Sequence, residues 1–384
     1  MGRRPSLRFG RMLRVDFRAK FQGDFRGFVP EQRTGEELFD LRRRRIGVQG
    51  RFLRHFEYEV ERELREVNPW RDVFVNLRYL RDFQIRAGKF KIPFGLEQLT
   101  SPTELDFIFR SRISDHLAPA RDIGITAHGR LFRRGLNYEA GAFREDGENA
   151  RTAGLTIAGR LTGTPLRLIP LPKSVKRAEV GGAFAISELP EGPFGLRGRM
   201  ISRASFFPNE GQRIFVHGER RRLGAEMSWM PGPFSVKGEF IHVQDERRGQ
   251  GLLGEDLPHL ISRGWYLSGT WALTGEKKDN GIQPRKDFIL ERGIGAVELA
   301  ARYEQIRFGS SEHPGRPFRH ERAANILGNS NRVWTFGVNW YLNRYVKIQG
   351  NAIREKLEDT QGDRSPISGR DRFWTWLCRM QFVM

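Results

Sequence analysis

The sequence predicts an all-β protein, an antiparallel transmembrane β-barrel of about sixteen strands with a constriction loop folded into its interior. Three observations predict this fold. Apolar and polar residues alternate over long segments, no segment has the roughly 18–20 consecutive apolar residues of a membrane-spanning helix, and short turns alternate with long polar links. We expect one barrel domain over residues 13–384, after an N-terminal extension over residues 1–12.

The sequence LRVDFRAKFQGDF, residues 13–25, shows the alternation most clearly. Apolar side chains occupy every second position from Leu13 to Phe21, and charged or amide side chains occupy the positions between them. This is the period of a strand with one apolar and one polar face, and the segment is longer than the usual ~5–6 residues. The period recurs in residues 56–61, 72–79, 297–304, 334–341 and 374–382.

The links between the alternating segments are of two lengths. The short ones include VNPW (67–70), MPGP (230–233) and LNR (342–344). The long ones, rich in glycine, proline and charge, include residues 144–151, 245–259, 308–331 and 358–371. One segment, FGLRGRMIS (194–202), is open to two interpretations, a strand or part of a loop. We interpret it as a loop because single-chain bacterial barrels have even numbers of strands.

The composition fits a barrel with a polar, water-filled interior. Lysine and arginine number 66 against 46 aspartate and glutamate, which gives a net charge of +20, and the mean hydropathy is −0.56. Such a barrel needs no apolar core, because its second face lines water. The positive balance indicates an anionic partner, which is nucleic acid, an acidic membrane surface or small anions. A soluble basic all-β binding protein is the alternative, and the long strands with aromatic ends argue against it.

Cysteine usage and the start of the chain add two further expectations. The single cysteine, Cys378, excludes a disulfide framework and a cysteine-based metal site. The start, MGRRPSLRFG, is basic but has no apolar stretch behind it, so no signal peptide is visible. We therefore expect either that the protein stays inside the cell or that a leader is missing from this chain.

Four consecutive arginines occupy positions 42–45. With the following isoleucine and valine facing lipid, the period of two directs Arg43 and Arg45 into the lumen and Arg42 and Arg44 outwards. An outward arginine costs ~2–4 kcal/mol near the middle of the bilayer, so we expect Arg42 and Arg44 near the lipid headgroups or against another subunit. The same reasoning directs further cations inwards: Arg14, Arg18, Lys20, Lys237, Arg302 and Arg379.

These inward cations are candidate anion-binding residues. A ladder of arginine and lysine lowers the energy of an anion in a pore and repels cations, and guanidinium groups pair bidentately with phosphate-like oxyanions. Glu57, Glu59 and Glu61 on the next strand are expected to pair with some of the arginines. The alternative is that each cation is a solvated wall residue with no role in binding.

The segment from residue 96 to residue 122 lacks the alternation and is the candidate constriction loop. A long, partly apolar loop either folds into the lumen or covers the barrel mouth, and we favour the lumen. Four apolar side chains would anchor it to the wall: Leu105, Phe107, Ile108 and Phe109. Four cations would line the pore beside it: Lys89, Lys91, Arg110 and Arg112.

No enzymatic site is expected. The sequence contains neither G-x-S-x-G nor GxxxxGK[ST], and its eight histidines lack metal-ligand spacing. We therefore expect no cofactor and no catalytic or metal-binding residue. The positive charges are spread at strand spacing and are not gathered in one patch, which argues against nucleic acid as the partner.

Several segments resemble those of a known family, the phosphate-selective porins (porin O/P). The resemblance runs from about residue 13 to the C-terminus, in the family's order. The segments that carry it are RAGKFKIPFGLEQLTSP, ARDIGITAHG, EMSWMPGPFSVKGEF, GWYLSGTWALTGE, GIGAVELAARYEQIRF and NWYLNRYVKIQGNAI. It implies a sixteen-stranded barrel in contact with outer-membrane lipid, in a Gram-negative-type bacterium, assembled as a homotrimer.

The resemblance also implies passive diffusion of anions through a phosphate-binding constriction of arginines and lysines. The run Arg42–Arg45 matches the family's arginine segment on the second strand, and Lys89, Lys91 and Arg110 match its K-x-P-F segment and infolded loop. The chain departs from the usual aromatic end of outer-membrane strands, because it finishes QFVM. Family members differ in solute, so a general anion pore, or a polyphosphate or carboxylate pore without a specific phosphate site, is the alternative.

Overall fold

A computed structural model gives the structure of most of the chain. The described residues are 5–10, 12–29, 39–64, 69–132, 135–147, 154–170, 172, 178, 179–194, 214–251, 253–278, 281–288, 291–310, 329–359 and 370–384. Within these ranges the strands are β1 (Ser6–Phe9), β2 (Leu13–Val29), β3 (Phe39–Phe52), β4 (Phe56–Glu63), β5 (Trp70–Leu77), β6 (Gln84–Lys91), β7 (Arg121–Leu131), β8 (Leu136–Phe143), β9 (Thr156–Gly163), β10 (Glu179–Phe194), β11 (Ile214–Trp229), β12 (Phe234–Asp245), β13 (Leu260–Ala272), β14 (Ala296–Ser310), β15 (Asn329–Tyr341), β16 (Val346–Asp359) and β17 (Arg372–Val383). The helical elements are α1 (Leu96–Leu99), α2 (Arg112–His116) and a 3-10 turn (Pro165–Leu168).

The strands from β2 to β17 form one closed antiparallel barrel. Each pairs with the next along the chain, and β17 pairs with β2, from Trp374 opposite Val29 to Val383 opposite Lys20. The predicted barrel of sixteen strands is therefore confirmed. Closure satisfies the backbone hydrogen-bonding groups of every spanning strand, which a bilayer requires because its core offers no water.

The short strand β1 fills the one stretch of β2 that β17 does not reach. It pairs with β2 from Phe9 opposite Leu13 to Ser6 opposite Asp16, while β17 covers β2 only from Lys20 onwards. The predicted N-terminal extension thus contains a strand, β1, which pairs with the same edge of β2 as the last strand, β17. The division of the chain at residues 12 and 13 stays a prediction.

Side chains alternate between the two faces of the barrel wall as predicted. In β17, Thr375 and Arg379 are buried inside the barrel, whereas Trp376 and Met380 are 54% and 56% exposed on the outer face. On the strands the outer face is thus largely apolar and the inner face largely polar, which is the arrangement of a barrel that meets lipid outside.

The interior differs from the wholly polar lumen that the composition indicates. An apolar cluster lies between the wall and the loop that joins β6 to β7, residues 92–120. Its members include Phe90, Phe94, Ile113, Phe143, Tyr266 and Phe373. The cluster exists because that loop occupies part of the lumen and needs an apolar surface against which to pack.

The two ends of the barrel differ in their links. The end that carries the chain termini has short links such as 230–233 and 342–345. At the other end Phe194 ends β10, and residues 195–202, like most of links 308–331 and 358–371, lie outside the described residues. No helix in the described parts of the chain is long and apolar enough to cross a bilayer.

Candidate constriction site

The loop of residues 92–120, here termed the constriction loop, lies inside the barrel. Its two ends are held together where the Ile92 N–H donates to the Ala120 carbonyl oxygen at 3.1 Å. Between these ends, α1 and α2 contact inward-facing side chains of β12 and β14, and the segment between the helices reaches β15 to β17. The infolded loop of the predicted fold is therefore observed, with Arg121 and Asp122 belonging to β7.

The tip of the constriction loop is held by a buried carboxylate, that of Asp106. It accepts from Lys237 Nζ at 2.8 Å and from Lys278 Nζ at 2.6 Å. Burial by itself would raise the pKa of Asp106, but the two ammonium groups hold that pKa well below its usual range. Lys278 comes from the link between β13 and β14, so the loop tip is attached both to the wall and to a segment entering from the opposite mouth.

We expect this attachment to weaken in acid, below about pH 4. The folded pKa of Asp106 is depressed, so its stabilising effect is complete above the ordinary carboxyl pKa of ~3.9 and is lost as the pH falls towards the folded value. The measurement is the free energy of unfolding between about pH 5 and pH 2.5, with Asp106→Asn as the comparison. A wild-type loss no larger than that of the variant would contradict the prediction.

Side chains of the wall satisfy the backbone of the constriction loop. Lys347 Nζ donates to the carbonyl oxygens of Thr103 and Leu105 at 3.3 and 3.2 Å, and Asn339 Nδ2 donates to that of Asp106 at 2.9 Å. A buried loop without secondary structure would otherwise leave these carbonyls without partners. The amide and ammonium groups of the wall are thus what permits an irregular segment inside the barrel.

The start of α1 depends on a carboxylate of β12. Glu239 Oε1 accepts from the Leu96 N–H at 3.0 Å, and its other oxygen accepts from Ser114 Oγ in α2 at 3.1 Å. The preceding residue, Gly95, has φ +79°, and a Cβ there would lie 2.6 Å from Glu239 Oε1. The backbone conformation therefore favours glycine, and an added Cβ would also force the Glu239 carboxylate to move from its hydrogen bonds.

The substitution Gly95→Ala is expected to lower the free energy of unfolding by ~1–3 kcal/mol, because it combines a left-handed backbone with a steric clash. Gly232→Ala is the matched control, since Gly232 has φ +67° but nothing within 4 Å of an added Cβ. Denaturant titration of both refolded variants separates the clash from the backbone strain. Equal losses of unfolding free energy in the two variants would show that the Glu239 side chain moves aside without loss of stability.

Two predicted pore cations support the constriction loop instead of lining an open pore. Arg302 pairs with Glu97 at 2.9 Å and lies 4.6 Å above the ring of Phe107. Arg379 forms a bidentate pair with Asp24 at 2.6 and 2.7 Å and donates to a loop carbonyl at 2.8 Å. Both guanidinium groups are fully buried.

Lys91 and Lys237 are also engaged by the constriction loop. Lys91 Nζ donates to the carbonyl oxygens of Gln98, Leu99 and Thr100 at 2.7 to 3.0 Å, where it caps the end of α1. A cation at a helix C-terminus satisfies carbonyls that have no partner within the helix. Lys237, as described, pairs with the carboxylate at the loop tip.

Glutamates of β4 neutralise the cations of β2 and β3, as predicted. Arg18 pairs with Glu59, Lys20 pairs with Glu61, and Arg45 pairs with Glu61 at 3.2 Å. Glu63 extends this ladder by pairing with Arg45 at 2.8 Å, and the third predicted partner, Glu57, pairs with Arg51 of β3 at 3.3 Å as well as with Arg78 at 2.8 Å. The positive field of this part of the wall is therefore largely cancelled.

A β-bulge in β3 changes the direction of one arginine. Arg43 lies opposite Gln22, but the next pair is Leu41 opposite Gly23, so Arg42 is an extra residue without a partner in the ladder. Its guanidinium lies inside the barrel, 5.6 Å from the centre of the Phe109 ring. The prediction that Arg42 points outwards is therefore wrong, because a single inserted residue reverses the alternation beyond it.

Three half-buried arginines, Arg42, Arg43 and Arg110, meet beside the constriction loop and are here termed the arginine cluster. Arg110 donates to the carbonyl oxygens of Glu97 and Thr100 at 2.9 and 2.8 Å. Arg43 donates to the Gln22 side chain, and the charged groups that act on it most strongly are four other arginines. Among the described residues, no carboxylate forms an ion pair with any member of the cluster.

Two carboxylates, those of Glu97 and Asp115, act on Arg110 of the arginine cluster, and the side chain of Asp115 in α2 is 58% exposed. Removal from bulk water would raise its pKa, but Arg112 and His116, followed by Arg110 and Arg42, lower it below the usual value. Asp115 therefore stays ionised at neutral pH and reduces the field of the cluster without forming an ion pair with any of its members. The arrangement suits a small anion, because the guanidinium groups keep donor capacity in a partly dehydrated site.

Comparison with known sequences decides the family. A family model described as phosphate-selective porin O and P matches residues 15–383. The chain belongs to this family. Porin O of Pseudomonas aeruginosa is 22% identical over 414 residues, covering 98% of this chain and 88% of the relative. The chain is thus an outer-membrane porin, and its place is the outer membrane of a Gram-negative bacterium.

Solved structures similar to this porin share its fold. The outer-membrane channel DcaP of Acinetobacter baumannii has a TM-score of 0.60 at 8% identity, covering 98% of this chain and 99% of that one. An anion-selective porin from Comamonas acidovorans has a TM-score of 0.58 at 11% identity, covering 97% and 100%. OmpT of Vibrio cholerae in its trimer form has a TM-score of 0.60 at 9% identity, covering 97% and 100%.

Three predicted site residues of the porin lie apart from the arginine cluster. Lys89 stands opposite Ile123, which is 51% exposed, and so belongs to the outer face of the wall. The sequence predicted that Lys89 would line the pore. It does not, because the residue of β6 whose side chain is buried inside is Phe90, between Lys89 and Lys91. Arg112 is buried in α2, 3.9 Å from Asp115, and Arg14 lies towards the terminal end of the barrel, 2.9 Å from an aspartate.

Sequence reasoning missed several cations that shape the porin interior, among them Arg42, Lys278 and Lys347. The last of these occupies an inward position of an alternating strand, so the period of two could have found it. Lys278 lies in a link without alternation, and no local signal indicates that it enters the lumen. Below the constriction loop, a cavity of about 520 Å³ is lined by cations from four parts of the chain, including Lys20, Lys237, Lys278 and Lys347.

Proposed function

We propose that the protein conducts anions passively across the outer membrane and binds phosphate at the arginine cluster. The observation that carries this proposal is the meeting of Arg42, Arg43 and Arg110 without a carboxylate partner. Half-buried guanidinium groups close together repel one another. An anion between them would relieve that repulsion and supply acceptors for their free donors.

Phosphate suits this site better than a spherical anion. Its tetrahedral oxygens accept two parallel hydrogen bonds from one guanidinium, whereas chloride offers no such geometry. Arg18, Lys20 and Arg45 are paired with glutamates, whereas the three arginines of the cluster have no carboxylate partner among the described residues. A localised charge favours one saturable site over a uniform field along the pore.

A general anion pore is the second candidate function. The cavity of about 520 Å³ below the constriction loop favours it, because lysines line that cavity from several strands. Two of them, Lys237 and Lys278, are however paired with Asp106. In this candidate the cations would act only through their summed potential, and larger anions such as carboxylates or polyphosphate would pass as readily as phosphate.

The assembly that we propose is a homotrimer. The trimer form of OmpT, which has the same fold, supports this assembly, as does the outward Arg44, which a neighbouring subunit would shield from lipid. The proposal assigns the protein transport alone, with no catalytic role, no resident cofactor and no nucleic-acid partner.

The first experiment is the reversal potential of the purified protein in a planar bilayer under a chloride gradient, followed by phosphate titration. Anion selectivity with saturable block of the chloride current by micromolar to millimolar phosphate is the expected result. Anion selectivity without block would favour the general anion pore. Cation selectivity would overturn both candidates.

A further inference from the structure

Six cations form a belt on the outer wall, at the end of β13 to β17 that lies away from the chain termini. All occupy outward positions of their strands, and four of the side chains are exposed while two are half-buried. The members of this cation belt are Arg263, Arg307, Arg332, Arg354, Lys356 and Arg372. The pore candidates described above lie on other faces or other levels of the barrel, so the belt has no part in the proposed constriction.

Strand register places like charges of the belt directly opposite one another. Arg263 pairs with Arg307 across β13 and β14, and Lys356 lies between Arg332 and Arg372 on its two neighbouring strands. Directly opposed like charges destabilise a sheet. Two carboxylates accompany the six cations, Glu358 at 2.8 Å from Arg332 and Asp371 at 3.8 Å from Arg372. Among the described residues, these two carboxylates leave the six-cation belt with a net positive charge.

Aromatic rings lie directly below the belt. Trp265 and Tyr303 have ring centroids 5.4 Å apart, and Tyr303 and Trp334 are 4.8 Å apart. Arg354 stands between Trp334 and Trp374 in the ladder, 5.9 Å from the second ring. Aromatic girdles mark the level of the lipid headgroups in membrane barrels, so the belt lies at that level.

The opposite rim of the same strands has no such charges among its outward positions. Trp271, Val297, Trp340, Val346 and Phe382 occupy them. Outer-membrane barrels carry short turns on the periplasmic side, and the short links 230–233 and 342–345 lie at this rim. The belt therefore faces the outer leaflet, and the asymmetry matches a bilayer whose two leaflets differ in charge.

An apolar groove runs across the wall just below the aromatic rings. Its volume is about 830 Å³. Gly269, Ala301, Phe336, Ala352 and Trp376 follow one another across five strands at this level. Three small side chains beside large aromatic ones create the depth, and a chain of methylene groups would bury its surface there.

We propose that the cation belt binds the phosphate groups of an outer-leaflet lipid and that the apolar groove holds one of its acyl chains. Guanidinium groups pair with phosphate oxygens bidentately, and basic residues at the headgroup level attract anionic lipids. A charged belt directly above an apolar groove matches the two halves of one phospholipid or phosphorylated glycolipid. A free phosphate ion would use the belt but not the groove, and a second copy of this chain seated there would have to bury the exposed guanidinium and ammonium groups of the belt at a cost in desolvation.

The test is titration of the purified protein in non-ionic detergent with diphosphoryl lipid A and with its phosphate-free counterpart, counted by native mass spectrometry. Removing three belt charges, as Arg263→Gln, Lys356→Gln and Arg372→Gln together, is expected to weaken binding of the phosphorylated lipid roughly a hundredfold. The matched control removes three exposed cations of the opposite mouth: Arg8, Arg54 and Arg344, each changed to glutamine. The control is expected to bind like wild type.

A groove variant tests the second half of the proposal independently. Gly269→Leu fills the groove, and an added Cβ meets only Ser235 O, at 3.8 Å, so the fold tolerates it. We expect about tenfold weaker binding of the lipid and unchanged binding of inorganic phosphate. Unchanged chloride conductance in the belt variant and in Gly269→Leu would show that their barrels are intact.

Several outcomes would overturn the proposal. Equal binding of the two lipids would remove the phosphate from recognition, and full competition by inorganic phosphate would reduce the belt to an ion site. A belt variant that loses its oligomeric state while binding lipid A like wild type would make the belt a contact between subunits. Because the belt lies outside the lumen, none of these results bears on phosphate block of the pore.

Discussion

Replacing Arg42 and Arg43 together by glutamine is expected to weaken phosphate block of the chloride current roughly a hundredfold or more. Each charge-assisted hydrogen bond contributes ~1.5–3 kcal/mol, and the double variant removes the charge of two of the three arginines. Arg110 alone would remain, and it already donates to two carbonyl oxygens. The measurement is the phosphate concentration for half-block in planar bilayers at fixed salt.

The run of arginines supplies its own control for this experiment. Arg44 lies opposite Phe21, which is 38% exposed on the outer face, so Arg44→Gln changes the same net charge per residue without touching the lumen. We expect half-block in this variant to stay within about twofold of wild type. Equal effects of Arg42→Gln and Arg44→Gln would show that the inward direction of the bulged residue is wrong.

The largest expected effect on stability and pore size comes from Asp106→Asn. It leaves Lys237 and Lys278 buried with less counter-charge, and breaking a buried ion pair on one side costs ~3–5 kcal/mol. Because the tip of the constriction loop would lose its attachment, we expect a larger and noisier single-channel conductance. Denaturant unfolding and single-channel recording measure the two effects on the same preparation.

Two comparisons separate loss of attachment from loss of charge. Asp371→Asn removes an exposed carboxylate next to the start of β17. We expect it to leave the free energy of unfolding and the single-channel conductance unchanged. Adding Lys278→Met to Asp106→Asn removes one of the buried charges left without a full partner, so part of the stability should return while the conductance stays high. If the double variant regained the wild-type conductance, the loop would have been displaced in Asp106→Asn by the unpaired charge of Lys278 and not by loss of the carboxylate.

Hydrophobic periodicity was sufficient to predict the barrel and the face of most residues. It works in β17 because each step of the strand reverses the direction of the side chain, and lipid favours apolar groups on the outer face away from the headgroup level. It fails at Arg42, since a bulge inserts one residue without leaving any mark in the composition. It fails at Lys89 for a different reason, because the neighbouring Phe90 is buried inside against Phe143.

Some partners of the inward cations were not predicted from the sequence. Arg379 and Asp24 are separated by 355 residues, and their pairing depends on closure of the barrel between its first and last long strands. The glutamates of β4 were predictable, since they lie on a strand adjacent to that of their arginines. Adjacent strands constrain each other through register, whereas contacts across the lumen depend on where an irregular loop settles.

Apart from Arg110, which does both, the residues that hold the constriction loop differ from those that would attract the anion. Asp106, Glu239 and Lys347 fix where the loop lies, while Arg42 and Arg43 project from the facing wall. Aperture and charge are therefore set largely by separate parts of the chain. Successive substitutions could widen or narrow the passage without altering its preference, or alter the preference at constant width, so relatives with this architecture can change solute in small independent steps.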